Sequence, residues 1–193
     1  MYYINQLDYE HIPYRHNLDN GGAPPDKSNA AAAGCGPCCL CMMAENLTFC
    51  HMELADCIML SEKCGANRKP GTDIKVLGPV VASMCGLEFE TTDDMDVLIR
   101  HLRSGGMAVA NSGGDREGYT GLFTHGGHYI AVLSADEKDA CILDPSYKEG
   151  KYEEEGRRGR AEVHSPFVYC SLDTLRKDCE NRSPAYYLFK RKR

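Results

Sequence analysis

The chain has 193 residues, with 42% hydrophobic and 26% charged residues and a formal charge of −6. That length suits one domain with at most an appendage, and the composition is that of an ordinary globular protein. A net negative charge and a pI near 5.6 give no support for nucleic-acid binding, and no apolar run approaches the ~20 residues that span a bilayer.

Residues 1–27 show little periodicity and read as an N-terminal arm, with one short strand expected at Tyr2–Leu7. From Cys35 to about Leu47 the apolar continuity predicts a buried helix. A second, amphipathic helix is expected over His51–Lys63, where Met52, Leu54, Ala55, Ile58 and Met59 recur between charges. Residues 69–72 read as a turn. Asp73 is placed to cap a third helix running to about Met84, with Gly86 as its stop.

Leu87–Glu90 reads as a short strand. Thr91 to Asp94 offers caps for a helix over Met95–Arg103, ended by Gly105 and Gly106. Strands follow at Met107–Ala110, His128–Ser134 and Ala140–Leu143. Between the first two lies a glycine-rich stretch, Asn111 to Gly127, long enough to suggest a mobile lid over a cleft. The polar run from Pro145 to Ser165 reads as an exposed loop. A strand at Phe167–Tyr169, a short helix near Leu172–Lys177 and a last strand at Tyr186–Lys190 complete the chain, and the tail Lys190 to Arg193 reads as solvated charge. Helices first and an antiparallel sheet after them define an α+β class.

Eleven cysteines are many for this length. Most sit in apolar surroundings, where a free cysteine behaves as a small hydrophobe. With no export signal in Met1–Gln6, they read as reduced thiols, and the chain as cytoplasmic. Cys50, Cys57 and Cys64 recur at spacing seven, as on one buried helical stripe.

Cys35 differs from the rest. Gly34, Gly36 and Pro37 surround it at a turn leading into the helix, and glycines let a backbone approach a ligand. A helix N-terminus lowers a thiol pKa, and a nearby imidazole lowers it further. His128 opens an apolar strand after Gly126 and Gly127, and Asp144 ends the next one before Pro145. The aspartate can orient the histidine, which can activate the cysteine. A metal reading of Cys35, Cys38 and Cys41 finds no second ligand pair of the usual kind, and a thioredoxin-like reading lacks the preceding βαβ context.

Three segments, GCGPCCLCMM, GGHYIAVLSAD and CILDPS, together resemble the double-glycine leader peptidases and their stand-alone relatives, a branch of the papain-like cysteine peptidases. Cys35 and His128 are 93 residues apart, and His128 and Asp144 are 16 apart. The resemblance covers most of residues 28–146. It implies a papain-like domain over 28–193 that needs no cofactor and cuts a peptide or protein substrate, with Cys35 as nucleophile, His128 as base and Asp144 as its orienting partner. It also implies an oxyanion donor six residues before the nucleophile. Asn29 stands there in place of the family's glutamine, with Gln6 as the fallback donor. Two other readings stay open: an amidase or acyl transferase on the same fold, and a thiol-rich metal-binding or interaction module.

Overall fold

The computed structural model describes residues 1–16, 21–68 and 71–192. Of the turn expected at 69–72, Lys69 and Pro70 lie outside the described residues, as do Asn20 and the tail's Arg193.

Six helices and seven strands make up the described residues: α1 Ala30–Ala33, α2 Cys35–Leu47, α3 Leu54–Lys63, α4 Ile74–Met84, β1 Leu87–Thr92, α5 Met95–Arg103, β2 Met107–Ser112, β3 His128–Ala135, β4 Asp139–Leu143, β5 Ala161–His164, β6 Phe167–Ser171, α6 Leu172–Cys179 and β7 Tyr186–Arg191. The strands form one sheet in the order β1-β7-β2-β3-β4-β6-β5. Every neighbouring pair is antiparallel.

Strand alternation divides the apolar residues between two faces. Val109, Ala131, Leu133, Tyr187 and Phe189 join α2, α3 and α4 in one core. Ala108, Ala110, Ile130, Val132 and Leu188 join α5 and α6 in another. The N-terminal helices therefore cover one face, as an α+β papain-like architecture requires, and α5 and α6 cover the other. Helix α2 packs chiefly on β3, which places the start of the helix near the start of that strand.

Local sequence accounts for the helix ends. Asp73 and Asp94 each cap a helix by accepting a backbone N–H with a side-chain oxygen. Gly86 follows α4 with φ +66°, a conformation that favours glycine. Gly78 answers to a different demand: a Cβ there would stand 2.5 Å from the Phe89 ring, so glycine lets α4 press against β1.

Five expectations change. Tyr2–Leu7 forms no strand; it runs extended into a 3₁₀ turn at Gln6–Asp8. Its residues, and Tyr14 after it, are integral to the domain. Ile4 and Tyr14 are buried in the main core, and the Tyr14 hydroxyl bonds Ser61 and Thr72 at 2.8 and 2.6 Å. The second helix starts at Leu54, leaving Cys50 outside it, so the spacing-seven stripe does not exist. Cys50 instead forms a disulfide with Cys85, their Cα atoms 5.4 Å apart, so not all the cysteines are free thiols. The run from Pro145 to Ser165 is not wholly exposed: Lys151, Tyr152 and Arg157 are buried in it, and β5 lies at its end.

The glycine-rich stretch is the fifth. It docks on α6 instead of covering a cleft. Its organiser is Asp178, which is fully buried. That carboxylate accepts the Ser112 and Tyr119 hydroxyls at 2.8 and 2.7 Å and the backbone N–H groups of Leu122 and Phe123 at 2.8 and 3.3 Å. Arg116 reaches the Lys177 carbonyl and Glu180 on the same helix. Glycine permits close chain contact within the stretch, since a Cβ on Gly114 would collide with the Gly126 carbonyl.

Replacing Asp178 by alanine strands three donors in the interior, the Ser112 hydroxyl and the Leu122 and Phe123 N–H groups, and frees the half-buried Tyr119 hydroxyl. At about 1–3 kcal/mol for each unsatisfied buried group, partly relieved by water, a loss of at least ~3 kcal/mol is expected in urea unfolding. Amide exchange at 119–123 should accelerate in the same variant. Unchanged protection there would contradict the anchoring role.

Candidate active site

Cys35 is the first residue of α2 and lies half-buried in the wall of a cavity of about 230 Å³. Its neighbour Gly36 is required by packing: a Cβ there would stand 2.8 Å from the Thr72 Cβ, just ahead of α4. The glycine thus lets the α4 start close one side of the cavity beside the sulfur. His128 is the first residue of β3 and is buried. Asp144 follows β4 directly and is fully buried. The β3–β4 register pairs Ala131 with Leu143, which carries His128 and Asp144 to the same end of adjacent strands.

The three expected residues come together. The Cys35 thiol and the His128 imidazole line the same cavity, close enough for each to shift the other's pKa. On the imidazole, Nε2 bonds Asp144 Oδ1 at 2.8 Å. Burial alone pushes the Cys35 thiol up. The imidazole of His128, with the N–H groups of Tyr129 and Gly36, outweighs burial and holds the thiol below its ordinary value. Burial likewise opposes the imidazolium of His128, but Asp144 and Cys35 raise its pKa. Both shifts favour a thiolate–imidazolium pair.

The other cysteines of α2 behave oppositely. Burial pushes Cys38 and Cys39 well up. Cys41 is pushed up as well, first by its hydrogen bond with Cys57 and then by burial. Among the described residues no group of three or more His, Cys, Asp or Glu side chains is arranged to hold a metal ion.

Asp144 has partners that sequence reading did not single out. Its Oδ2 accepts the Lys151 ammonium at 2.5 Å and the Tyr152 hydroxyl at 2.6 Å. The Ser146 N–H and hydroxyl reach Oδ1 at 2.9 and 3.2 Å, and the Ser146 hydroxyl lies 3.0 Å from His128 Nε2. Burial pushes the Asp144 carboxyl up, but His128 and Lys151 hold it well below the ordinary carboxylate range. Lys151 is itself nearly inaccessible, and burial lowers its pKa against the pull of Asp144. Ser146 could have been suspected from the Asp-Pro-Ser turn. Lys151 and Tyr152 carry no such signal, because they sit in a run that reads as solvated loop.

The N-terminal residues brace the same turn. The Tyr3 hydroxyl donates to the Asp144 carbonyl at 2.8 Å, the Gln6 N–H to the Pro145 carbonyl at 2.6 Å, and Asn5 Nδ2 to the Tyr147 carbonyl at 2.7 Å.

Asn29 is not brought to the cavity. Its Oδ1 accepts the Ala32 N–H at 2.9 Å, capping α1, and its Nδ2 faces the Asp26 carbonyl at 3.4 Å. The reason is local: an asparagine ahead of four alanines is well suited to cap their helical turn. Gln6, the fallback, donates Nε2 to the Ala31 carbonyl at 2.6 Å. Only the two ends of the glycine-rich stretch, Asn111 and Gly127, line the cavity.

This fold is shared with solved peptidase structures. The peptidase domain of Streptococcus ComA, a bifunctional ABC transporter involved in a quorum-sensing pathway, aligns with a TM-score of 0.53 at 14% identity, over 82% of this chain and 91% of that one. A Bacillus anthracis protein described as a C39-like peptidase aligns with a TM-score of 0.57 at 13% identity, over 83% of this chain and 89% of that one. No protein-family model and no curated protein matches the chain. The chain thus has, over most of its length, the α+β papain-like fold of the C39 peptidases.

Two outcomes follow from the buried ion pair and the thiol. Asp144→Ala leaves the Lys151 ammonium buried without its partner and should cost about 3–5 kcal/mol in urea unfolding. Lys151→Met keeps the bulk, and Asp144 retains His128, Tyr152 and Ser146, so its loss should be smaller; the reverse order would refute this account. Alkylation by iodoacetamide reports thiolate, so its rate rises with pH through the thiol pKa. In the parent, that rise for Cys35 should fall below the ordinary value of 9.0. His128→Ala removes the lowering contacts but not the burial, so the rise should move above that value.

Proposed function

We propose that the protein is a cysteine peptidase in which Cys35 is the nucleophile, His128 the general base and acid, and Asp144 the residue that orients the imidazole. One observation carries the reading: Cys35 stands at the start of α2 in the cavity that His128 also lines, and the buried Asp144 carboxylate holds that histidine at 2.8 Å, whereas Cys38, Cys39 and Cys41 are fully buried in the core. The fold shared with C39 peptidases supports it.

In the proposed reaction the Cys35 thiolate adds to the carbonyl carbon of a peptide bond, and the carbonyl π pair moves onto oxygen. Collapse of that intermediate breaks the C–N bond as the His128 imidazolium gives its proton to the leaving amine. A thioester on Cys35 remains. His128 then takes a proton from water, the resulting hydroxide adds to the thioester carbonyl, and the C–S bond breaks. The acid product leaves, and the thiolate–imidazolium pair is restored. Asp144 stays ionised throughout and keeps Nε2–H pointed at itself. The start of α2 supplies the oxyanion donor through the Cys35 backbone N–H. Asn29 enters this proposal as the cap of α1, since its side-chain oxygen and nitrogen are already bonded to neighbouring backbone.

Turnover of a fluorogenic peptide mixture tests the assignment. Cys35→Ala and His128→Ala should each lose about 10³-fold or more, and Asp144→Asn less, as the orienting member of such a unit does. Asn29→Ala should cost only ~1 kcal/mol of stability through the lost cap. It should not show the ~10²–10³-fold loss in turnover of a missing oxyanion donor. Undiminished cleavage by Cys35→Ala would overturn the proposal.

A further inference from the structure

We infer that the cavity beside Cys35 selects substrates carrying a carboxylate next to the bond that is cut. The inference rests on Cys35 as the attacking group, and its test separates the two. The whole chain is acidic, with a formal charge of −6, so its overall field repels anions. The cavity has the opposite balance: Lys75 and Arg182 line it, against Asp73 as the one carboxylate among the described lining residues. That carboxylate is turned to structural use. It accepts the Lys75 N–H at 2.9 Å as the cap of α4, where the positive end of the helix offsets its charge.

Arg182 supplies the sharper observation. Its Nε is buried and has no hydrogen-bond partner among the described residues, and its Nη2 reaches the Gly113 carbonyl only at 3.5 Å. A buried guanidinium N–H without an acceptor is unfavourable, and the planar fork of arginine matches a carboxylate with two parallel bonds. Lys75, exposed across the cavity on the first turn of α4, adds a second positive charge. A substrate carboxylate in the cavity therefore meets the charges of Lys75 and of the Arg182 guanidinium in the same lining that holds Cys35. The carboxylate is either an Asp or Glu side chain or the terminal carboxylate of a peptide.

Alkylation of Cys35 in the intact protein reads this charge without any substrate. The rates with iodoacetate and with neutral iodoacetamide are measured by mass spectrometry, and their ratio is compared among variants. A unit charge ~6 Å away in water changes the local anion concentration about threefold. Lys75→Gln and Arg182→Gln should each lower the iodoacetate-to-iodoacetamide ratio by about that factor, and 0.5 M salt should shrink the difference as screening predicts. Lys138→Gln, in the turn at the far end of β3, should keep the parent ratio. If neither cavity variant changes the ratio, the inference is overturned, while rapid selective alkylation of Cys35 would still uphold the nucleophile. Slow, unselective alkylation would overturn the nucleophile, and the inference with it.

Protection of Cys35 from iodoacetamide by three peptides identifies the source. N-acetyl-Ala-Glu-Gly-amide protecting better than N-acetyl-Ala-Gln-Gly-amide assigns a side chain. The free acid N-acetyl-Ala-Gln-Gly protecting better than its amide assigns a chain terminus. Equal protection by all three, or none by any, overturns carboxylate selection.

Discussion

The buried carboxylate of Asp144 is the constraint around which this end of the molecule is built. An isolated ion at that depth would be strongly disfavoured, with a penalty of several kcal/mol. Four side chains and one backbone N–H surround it instead: His128, Lys151, Tyr152 and the amide and hydroxyl of Ser146. Their demands set the local chain path. The 3₁₀ turn at Lys151–Glu153 must bring Lys151 and Tyr152 to Asp144, and the N-terminal residues brace the Asp144–Tyr147 turn. The geometry of His128, and through it the state of the Cys35 thiol, depends on that cluster.

Burial has opposite consequences within a single helix. Along α2, Cys38, Cys39 and Cys41 face the core; lost solvation disfavours the first two thiolates, and the hydrogen bond with Cys57, then lost solvation, disfavours the third. Cys35 suffers the same penalty, yet it sits where two N–H groups and an imidazole converge. The difference comes first from His128, and then from the N–H groups of Tyr129 and of Gly36 in the first turn of the helix. Residues at the first turn meet unsatisfied backbone donors and the positive end of the dipole, and residues further along meet only side chains and paired backbone. A cysteine-rich helix can thereby hold one activated sulfur among several inert ones.

The two faces of the sheet divide the labour. One carries α2, α3 and α4 and forms the wall from which Cys35 projects. The other carries α5 and α6, and α6 holds the glycine-rich stretch down through Asp178. Because that stretch leads directly into His128, its anchoring on α6 steadies the strand on which the imidazole stands. Its many glycines serve close packing: a Cβ on Gly113, Gly114 or Gly121 would collide with neighbouring atoms.

Sequence alone determined the helices and strands that local signals specify. Helix α2 begins at Cys35, α5 spans Met95–Arg103 behind an aspartate cap, and β3 opens at His128, all as pattern and capping chemistry predict. It also singled out Cys35, His128 and Asp144, because their residue types stand at the ends of elements that such a fold brings together. Tertiary structure decided the rest. Asn29 satisfies the nearest helix end, since a local hydrogen bond three residues away outcompetes a distant role. Lys151 and Tyr152 look solvated in sequence and are buried, because only the folded chain sets them against Asp144. Cys50 meets Cys85 through the packing of α4, which no spacing could show. Local periodicity encodes which residues form an element, but not which distant charge a buried carboxylate needs.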